Sequence, residues 1–177
     1  MFDFPTPKPR RAKKPYRKPD SVKMLEAMAN EATRKKYPNV PHLAPRTFRD
    51  DKSNDLTKCI MEYIRLTGGQ SERISVTGRY IDQSKIFTNT LGQQRKVGTG
   101  KWIKPSMTKG SGDVSAVKKI TLGGKIVGLT VKIEVKIGAD KQSEDQKKYQ
   151  QEVENAGGVY LLVKSFDDFI EKYNSLL

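Results

Sequence analysis

One stretch of the chain, residues 113–137, limits the fold more than any other. From Ile126 to Ile137 every odd-numbered residue is apolar, while the even-numbered positions include Glu134 and two lysines. Alternation of this kind is typical of a β-strand that packs one face on a core. The pair Gly123-Gly124 precedes this strand and suits a two-residue hairpin turn, in which both positions can require positive φ. The sequence therefore predicts an antiparallel hairpin in which paired residue numbers sum to 247.

This register places two carboxylates, Asp113 and Glu134, directly opposite each other. Carboxylates in such a pair lie ~5 Å apart at Cβ and repel each other. A divalent cation between them removes the repulsion, and oxygen ligands without His or Cys suit Mg²⁺ or Mn²⁺. Taken alone, the two acids are also compatible with a solvated sheet face. The register contains one mismatch, Lys118 opposite Leu129, which a bulge or an edge position would absorb.

The other elements are predicted from apolar spacing and from turn residues. Residues 82–111 are rich in Gly, Lys, Gln and Thr and are predicted to form a long loop or ragged hairpin. A loop of that length in a small domain is usually functional. The predicted helices cover 21–36, 53 to the Gly68-Gly69 pair, 143–156 and 166–176, and the remaining predicted strands cover 73–81 and 158–163.

Positive charge and proline are concentrated toward the N-terminus. The chain has 34 Lys and Arg against 20 Asp and Glu, and eight of its nine prolines lie in residues 1–45. Residues 1–19 are predicted to be a disordered basic arm, because such sequence cannot bury enough apolar surface to order itself. The predicted organisation is a basic, proline-rich arm with one short helix over 1–52, followed by a compact domain over 53–177.

Several classes of protein are disfavoured by composition. The longest apolar run has five residues, against the ~20 of a membrane-spanning helix, so no membrane span is predicted. The N-terminal residues lack the apolar region of a secretory signal, and a cytoplasmic location in a bacterial or phage-infected cell is expected. Cys59 and His42 are single residues of their types, which excludes an intramolecular disulfide and a zinc finger. Cys59 lies on the apolar stripe of its helix and is interpreted as a core thiol.

Four sequence elements resemble the VRR-NUC (virus-type replication-repair nuclease) branch of the PD-(D/E)xK nucleases. In chain order they are Gly-Ser-Gly-Asp-Val at 110–114, Lys-Ile-Glu-Val-Lys at 132–136, Ser-Glu-Asp-Gln-Lys-Lys-Tyr at 143–149 and Ala-Gly-Gly-Val-Tyr at 156–160. The resemblance covers about residues 53–177. It implies an α/β fold with a restriction-endonuclease-like core, in which helices flank a mixed sheet. It also implies hydrolysis of DNA with Mg²⁺ or Mn²⁺.

The resemblance implies a role for each of four side chains and one backbone group. Asp113, Glu134 and the backbone carbonyl of Val135 would hold the metal, which would activate a bound water. Lys136 shares a face with Glu134 and would position that water or balance developing charge. Gln146 would support the site, although Ser143-x-x-Gln146 is also a capping-box pattern at a helix start.

The sequence departs from the family pattern at two places. Gly112 precedes Asp113, where the family often has a small residue and then proline. The family also often uses a glutamate early in the first helix of the domain. Asp55 is nearest in position and Glu62 is the alternative, so this ligand is left unassigned.

A mixture of cations and one aromatic residue precedes the metal motif, at Lys101, Trp102, Lys104 and Lys109. These residues are predicted to bind phosphates and to stack on an unpaired base. A net charge of +14 suits a polyanionic partner, although charge runs are also typical of solvated surface.

The resemblance implies a structure-selective endonuclease that acts on branched DNA such as Holliday junctions. A homodimer is expected, because symmetric cutting of two strands needs two sites, and phage-type replication or recombination is the expected setting. The product would carry a 5′-phosphate. The alternative is a non-catalytic DNA-binding or packaging protein on a nuclease-like scaffold. A restriction enzyme with its own recognition site is disfavoured, because no separate reading module is visible in so short a chain.

Overall fold

The computed structural model describes residues 15–75, 78–105 and 108–176. Helices and strands in these ranges give a mixed α/β fold, as predicted. They are α1 (Asp20–Lys36), α2 (Ser53–Leu66), β1 (Gln70–Arg73), β2 (Arg79–Ile81), β3 (Lys85–Thr88), β4 (Gln94–Val97), β5 (Lys101–Ile103), β6 (Val114–Leu122), β7 (Lys125–Val135), α3 (Glu144–Asn155), β8 (Val159–Val163) and α4 (Phe166–Asn174).

The main sheet is mixed and has the strand order β1-β6-β7-β8. The β1–β6 and β6–β7 pairs are antiparallel, whereas β8 runs parallel to β7. Odd-numbered residues of β7 form one core with α2 and α4. On the opposite face, Gln146 of α3 contacts Glu134 of β7. Helices therefore flank a mixed sheet, which confirms the coarse architecture.

The predicted hairpin register is confirmed along the whole β6–β7 pair, beginning with Val114 opposite Ile133. Gly123 and Gly124 form the turn with φ values of 55° and 77°, in the left-handed region that glycine tolerates best. Burial of the apolar face is not uniform, since Ile133 is fully buried but Val127 is 39% exposed. The turn end of the hairpin therefore extends beyond the helices that cover its other end.

Lys118 faces Leu129 in a continuous ladder, so neither a bulge nor an edge position is needed. The Lys118 Nζ donates to the carbonyl oxygens of Tyr173 and Leu176 at 2.6 and 2.7 Å. It also lies 4.8 Å from the centroid of the Tyr173 ring. Lys118 thus satisfies carbonyl groups at the C-terminal end of α4, which would otherwise lack partners.

The single strand predicted over 73–81 is wrong, because the structure has two strands with different partners there. Strand β1 ends at Arg73 and pairs with β6, whereas β2 begins at Arg79 and pairs with β5. Between β2 and β5, strands β3 and β4 form a hairpin of their own. We call residues 78–105 the ribbon; its four short strands are largely exposed.

Helix α1 belongs to the same core as the sheet. Val22 and Leu25 are fully buried and pack with residues of α2 and α4. Fully burying an aliphatic side chain contributes ~1.5–3 kcal/mol. The core therefore extends N-terminal to the domain boundary predicted at residue 53, and α1 is not part of a separate arm.

Most of the predicted disordered arm, residues 1–14, lies outside the described residues. Within 15–19, the Tyr16 hydroxyl donates to Asp50 Oδ1 at 2.9 Å. The Arg49 guanidinium lies 4.4 Å from the centroid of the Tyr16 ring. Residue 16 is therefore attached to the segment that precedes α2.

Cys59 lies in the core of α2, as predicted. Burial raises the pKa of its thiol to about 12, so almost none of it is the reactive thiolate near neutral pH. None of the helices in the described ranges combines the length and the hydropathy needed to cross a membrane.

Candidate active site

Asp113 is fixed by three strands of the main sheet. It comes directly before β6, and its Oδ2 accepts a hydrogen bond from the backbone N–H of Val135 in β7 at 2.9 Å. Its own carbonyl oxygen accepts from the N–H of Ile74, just after β1, at 2.8 Å. The Val135 backbone therefore adjoins Asp113, and the observed contact is made by the amide rather than by the carbonyl predicted as a ligand.

Glu134 is a buried carboxylate, only 3% exposed. Its Oε1 accepts from Gln146 Nε2 at 2.5 Å and lies 3.0 Å from Lys136 Nζ. Burial raises the pKa of Glu134, and the charge of Asp113 adds to this, while Lys136 and Gln146 act in the opposite direction. The anionic form of Glu134 would therefore be stabilised by a further positive charge.

Lys136 is buried between two carboxylates. Its Nζ lies 3.0 Å from Glu134 Oε1 and 3.3 Å from Asp140 Oδ2. Burial acts to lower the pKa of Lys136, but the two carboxylates outweigh it and the net shift is upward. Asp140 was not predicted from the sequence, where the only signal is its position four residues after Lys136 on a short loop.

Gln146 holds both roles that the sequence left as alternatives. Its Oε1 accepts from the backbone N–H of Ser143 at 2.9 Å, and its own N–H donates to Ser143 Oγ at 3.3 Å, which completes a capping box. Its side-chain amide nitrogen donates to Glu134. The two ends of one amide group therefore join the start of α3 to the buried carboxylate.

One oxygen of each opposed carboxylate is not used by the protein. Asp113 Oδ2 and Glu134 Oε1 make the contacts above, whereas Asp113 Oδ1 and Glu134 Oε2 accept no hydrogen bond among the described residues. Together with Asp140 and Lys136, the cluster has three carboxylates and one ammonium. It is therefore negative in a chain whose net charge is +14.

This donor set fits a hard divalent cation. Mg²⁺ is usually held by one or two carboxylates, and water and phosphate oxygens supply its other ligands. Within residues 15–75, 78–105 and 108–176, no three His, Cys, Asp or Glu side chains converge closely enough to hold a metal themselves. Asp113 and Glu134 would thus be the protein's carboxylate ligands, and solvent and substrate would complete the shell.

Tyr160 is a further residue at this site, and no role for it is predicted from the sequence. It lies on β8 opposite Lys132, on the face that carries Glu134, and it is only 7% exposed. Its buried hydroxyl finds no partner in good hydrogen-bonding geometry among the described residues. Burial, and then the charge of Glu134, raise the pKa of Tyr160. Its place in the Ala-Gly-Gly-Val-Tyr motif was the only available signal.

Close backbone contacts explain why glycines precede Asp113. A Cβ at Gly112 would lie 2.8 Å from the carbonyl oxygen of Ile133. Gly110 has φ 86°, and a Cβ there would overlap the backbone carbonyl of Asp145 at the start of α3. The loop before Asp113 therefore packs against both β7 and α3, without room for a side chain at Gly110 or Gly112.

The acidic residues of α2 do not join the site. Asp55 pairs with Lys58 at 3.0 Å. Glu62 pairs with Arg46 and Arg65 at 2.6 and 2.5 Å. Neither acid has a contact with Asp113 or Glu134, so the ligand left unassigned from the sequence stays unassigned.

The four residues predicted to contact DNA fall into two groups. Lys101, Trp102 and Lys104 are exposed on the ribbon, at β5 and just after it. Lys109 lies nearer the site, where its Nζ is 2.7 Å from Asp145 Oδ2 of α3. The first three therefore lie together along the chain, with Lys101 and Trp102 on opposite faces of β5, and Lys109 lies apart from them.

No protein-family model, curated protein or solved structure matches the chain. Inference about function therefore depends on the geometry around Asp113 and Glu134, and on the motifs that place these residues there.

Proposed function

We propose that this protein is a metal-dependent endodeoxyribonuclease with a restriction-endonuclease-like core of the VRR-NUC type. The observation that carries the proposal is the pair of neighbouring carboxylates, Asp113 and Glu134, each with one oxygen that accepts a hydrogen bond and one that accepts none among the described residues. A buried ammonium and a side-chain amide adjoin the same pair. This combination of groups is suited to phosphodiester hydrolysis.

Each protein group has a separate task in this proposal. A bound Mg²⁺ or Mn²⁺ would polarise the scissile phosphate and lower the pKa of an attacking water. Asp113, Glu134 and the backbone carbonyl of Val135 provide its site, and Lys136 orients the water and balances charge in the transition state. Gln146 keeps Glu134 Oε1 fixed. Water adds to phosphorus as the bond to the 3′ oxygen breaks, which leaves a 5′-phosphate and a 3′-hydroxyl.

The proposed substrate is branched DNA, and the proposed active form is a homodimer. The excess of cations favours a polyanionic ligand. The exposed ribbon offers a surface for DNA outside the narrow site. The setting we propose is phage-type replication or recombination, by analogy with the resemblance described above.

The test is a cleavage panel with the full chain. Linear duplex, flap, splayed-arm and four-way-junction DNA are each incubated with Mg²⁺, with Mn²⁺, and with chelator. We expect cleavage that requires the metal, that favours a branched substrate, and that leaves ligatable 5′-phosphate ends. Absence of divalent-dependent cleavage on every substrate would overturn the proposal.

The second candidate is a non-catalytic DNA-binding or packaging protein on the same scaffold. One observation favours it: Lys136 is already neutralised between Glu134 and Asp140, as in a purely structural ion-pair cluster. This candidate predicts salt-sensitive DNA binding without cleavage under any metal condition of the panel.

A further inference from the structure

The ribbon presents two aromatic side chains side by side. Tyr80 of β2 and Trp102 of β5 are directly paired across the two strands, so their side chains share one face of the ribbon. Each is 59% exposed. Aromatic residues normally bury a large apolar area, so a paired and exposed set indicates a surface that a ligand covers.

The backbone of a glycine lies against each ring, and most of each side chain stays exposed. A Cβ at Gly78 would lie 2.6 Å from Trp102 Cε2, and a Cβ at Gly100 would overlap the ring of Tyr80. The Gly100 N–H also donates to the Tyr80 hydroxyl at 3.0 Å. Each ring thus rests against bare backbone, and the rest of the ring is open to a planar ligand.

The charge around the rings is strongly positive. The ribbon, residues 78–105, contains six Lys and Arg and a single acid, Asp82. Asp82 is already paired with Lys96 at 2.7 Å. By contrast, Arg79, Lys101 and Lys104 form no ion pair with a carboxylate in the described part of the chain. Aromatic rings with adjacent free cations match a ligand that has flat bases and phosphates.

We propose that Tyr80 and Trp102 form a stacking platform for unpaired DNA bases, with Lys104, two residues after Trp102, bound to an adjoining phosphate, while Lys101 projects from the opposite face of β5. This inference rests on the proposed function in taking DNA as the ligand. Stacking requires an exposed base face, which an intact duplex offers only at its ends, so the platform selects DNA with unpaired nucleotides. It would supply the preference for branched substrates that the active site itself does not explain.

The chain connects this platform to the active site. Ile74 precedes the ribbon and Asp113 follows the ribbon, and the N–H of Ile74 donates to the carbonyl oxygen of Asp113. Trp102 is eleven residues before Asp113, so the two are at most ~40 Å apart even along a fully extended chain. Unpaired nucleotides on the platform would therefore belong to the same DNA molecule as the scissile phosphate.

The single tryptophan of the chain makes the platform directly observable. The full chain is titrated in chelator with a twelve-residue oligothymidylate, a splayed-arm DNA with thymidine tails, a blunt duplex and heparin, while Trp102 fluorescence is recorded. We expect the oligothymidylate and the splayed arm to quench the emission, and the blunt duplex and heparin to leave it nearly unchanged. Equal quenching by heparin, or none by oligothymidylate, would overturn the platform.

Substitutions separate stacking from general exposure. Tyr80→Ala should weaken oligothymidylate binding roughly 5- to 150-fold, which corresponds to the ~1–3 kcal/mol per stacked base, and Tyr80→Phe should retain most of it. Phe87→Ala is the matched control. Phe87 is also 59% exposed on the ribbon, but it lies on the β3–β4 hairpin, away from the β2–β5 pair. Equal losses for Tyr80→Ala and Phe87→Ala would contradict a specific platform.

These measurements do not depend on catalysis, because they are made without divalent ions. Quenching by unpaired DNA in a protein that cuts nothing would support the platform and refute the nuclease. Metal-dependent cleavage without such quenching would support the nuclease and refute the platform.

Discussion

The active site and the ribbon hold their polar side chains in opposite ways. Glu134 and Lys136 are almost fully buried, and each contacts two other side chains. Trp102 and Lys101 are exposed, and the nearest support for the indole is the backbone of Gly78. Groups that act on a reaction centre benefit from fixed positions. Groups that bind a flexible polyanion can become ordered when the ligand arrives, at a cost in affinity.

The largest expected effect compares the loss of one carboxylate in each region. Glu134→Gln should reduce metal-dependent cleavage by ~10³-fold, the upper range for removal of one preorganised electrostatic group. Asp82→Asn on the ribbon changes the charge equally but should leave the cleavage rate within about twofold, because the partners of Asp82 in the described part of the chain are ribbon residues. The measurement is single-turnover cleavage at saturating metal. Similar losses for both variants would mean that overall charge, not position, controls the rate.

Substitutions at Gln146 separate its contact with Glu134 from its role as a cap of α3. Gln146→Glu keeps an oxygen to accept the Ser143 N–H but replaces the donor to Glu134 with a second carboxylate, whereas Gln146→Ala removes both contacts. We expect both variants to lose cleavage about 10- to 100-fold, as for other groups that orient a metal ligand. Gln146→Ala should also lose stability, by up to about 1 kcal/mol, because the capping box is incomplete, whereas Gln146→Glu should lose stability because a second carboxylate contacts the buried Glu134.

Chemical denaturation and cleavage rates measured on the same preparations check this pair. A Gln146→Glu protein that cleaves at the normal rate would show that Gln146 is only a cap.

Local sequence rules predicted the register around this site because a two-residue glycine turn leaves few alternatives. Once Gly123 and Gly124 are fixed, every pair up to Val114 and Ile133 follows by counting, and the pattern of apolar residues agrees. The same rules assigned Glu134 to the polar face but not to a buried position. Burial depends on α3, which covers this face from a different part of the chain.

Features that depend on distant partners were predicted less well. The apolar residues around Arg73 indicate strand structure. Nothing in the local sequence shows that β1 pairs with β6 and that β2 pairs with β5. Lys118 was seen as a mismatch because its partners, the last carbonyls of α4, are more than fifty residues away. Tyr160 and Asp140 are ordinary residues of a strand and a loop until the fold brings them to Glu134 and Lys136.

Glycine substitutions test the difference in rigidity between the two regions. Gly112→Ala places a methyl group 2.8 Å from the Ile133 carbonyl, where only backbone movement relieves the overlap, and it should reduce the free energy of unfolding by ~1–3 kcal/mol. Gly100→Ala meets the Tyr80 side chain, which can rotate into solvent, so its effect should be below about 1 kcal/mol. Urea denaturation gives both values. If Gly100→Ala proves the more destabilising, the ribbon is held more firmly than its exposure indicates.

The smallest expected effect concerns the exposed cations, and it distinguishes the two groups of predicted DNA contacts. Lys101 has no carboxylate partner in the described residues, so a phosphate that it binds releases condensed counterions. Lys101→Gln should therefore reduce the slope of log affinity against log salt concentration, measured for splayed-arm DNA, by ~0.7–0.9. Lys109 is already paired with Asp145 at 2.7 Å and must give up that partner to bind a phosphate. Lys109→Gln should therefore change the slope by less than half as much.

Slopes measured between 50 and 200 mM salt, about the range over which such binding is strongest and most sensitive, check the order. A larger change for Lys109→Gln would move the principal DNA contact from the ribbon to the start of α3, because the ion pair would then have to open when DNA binds.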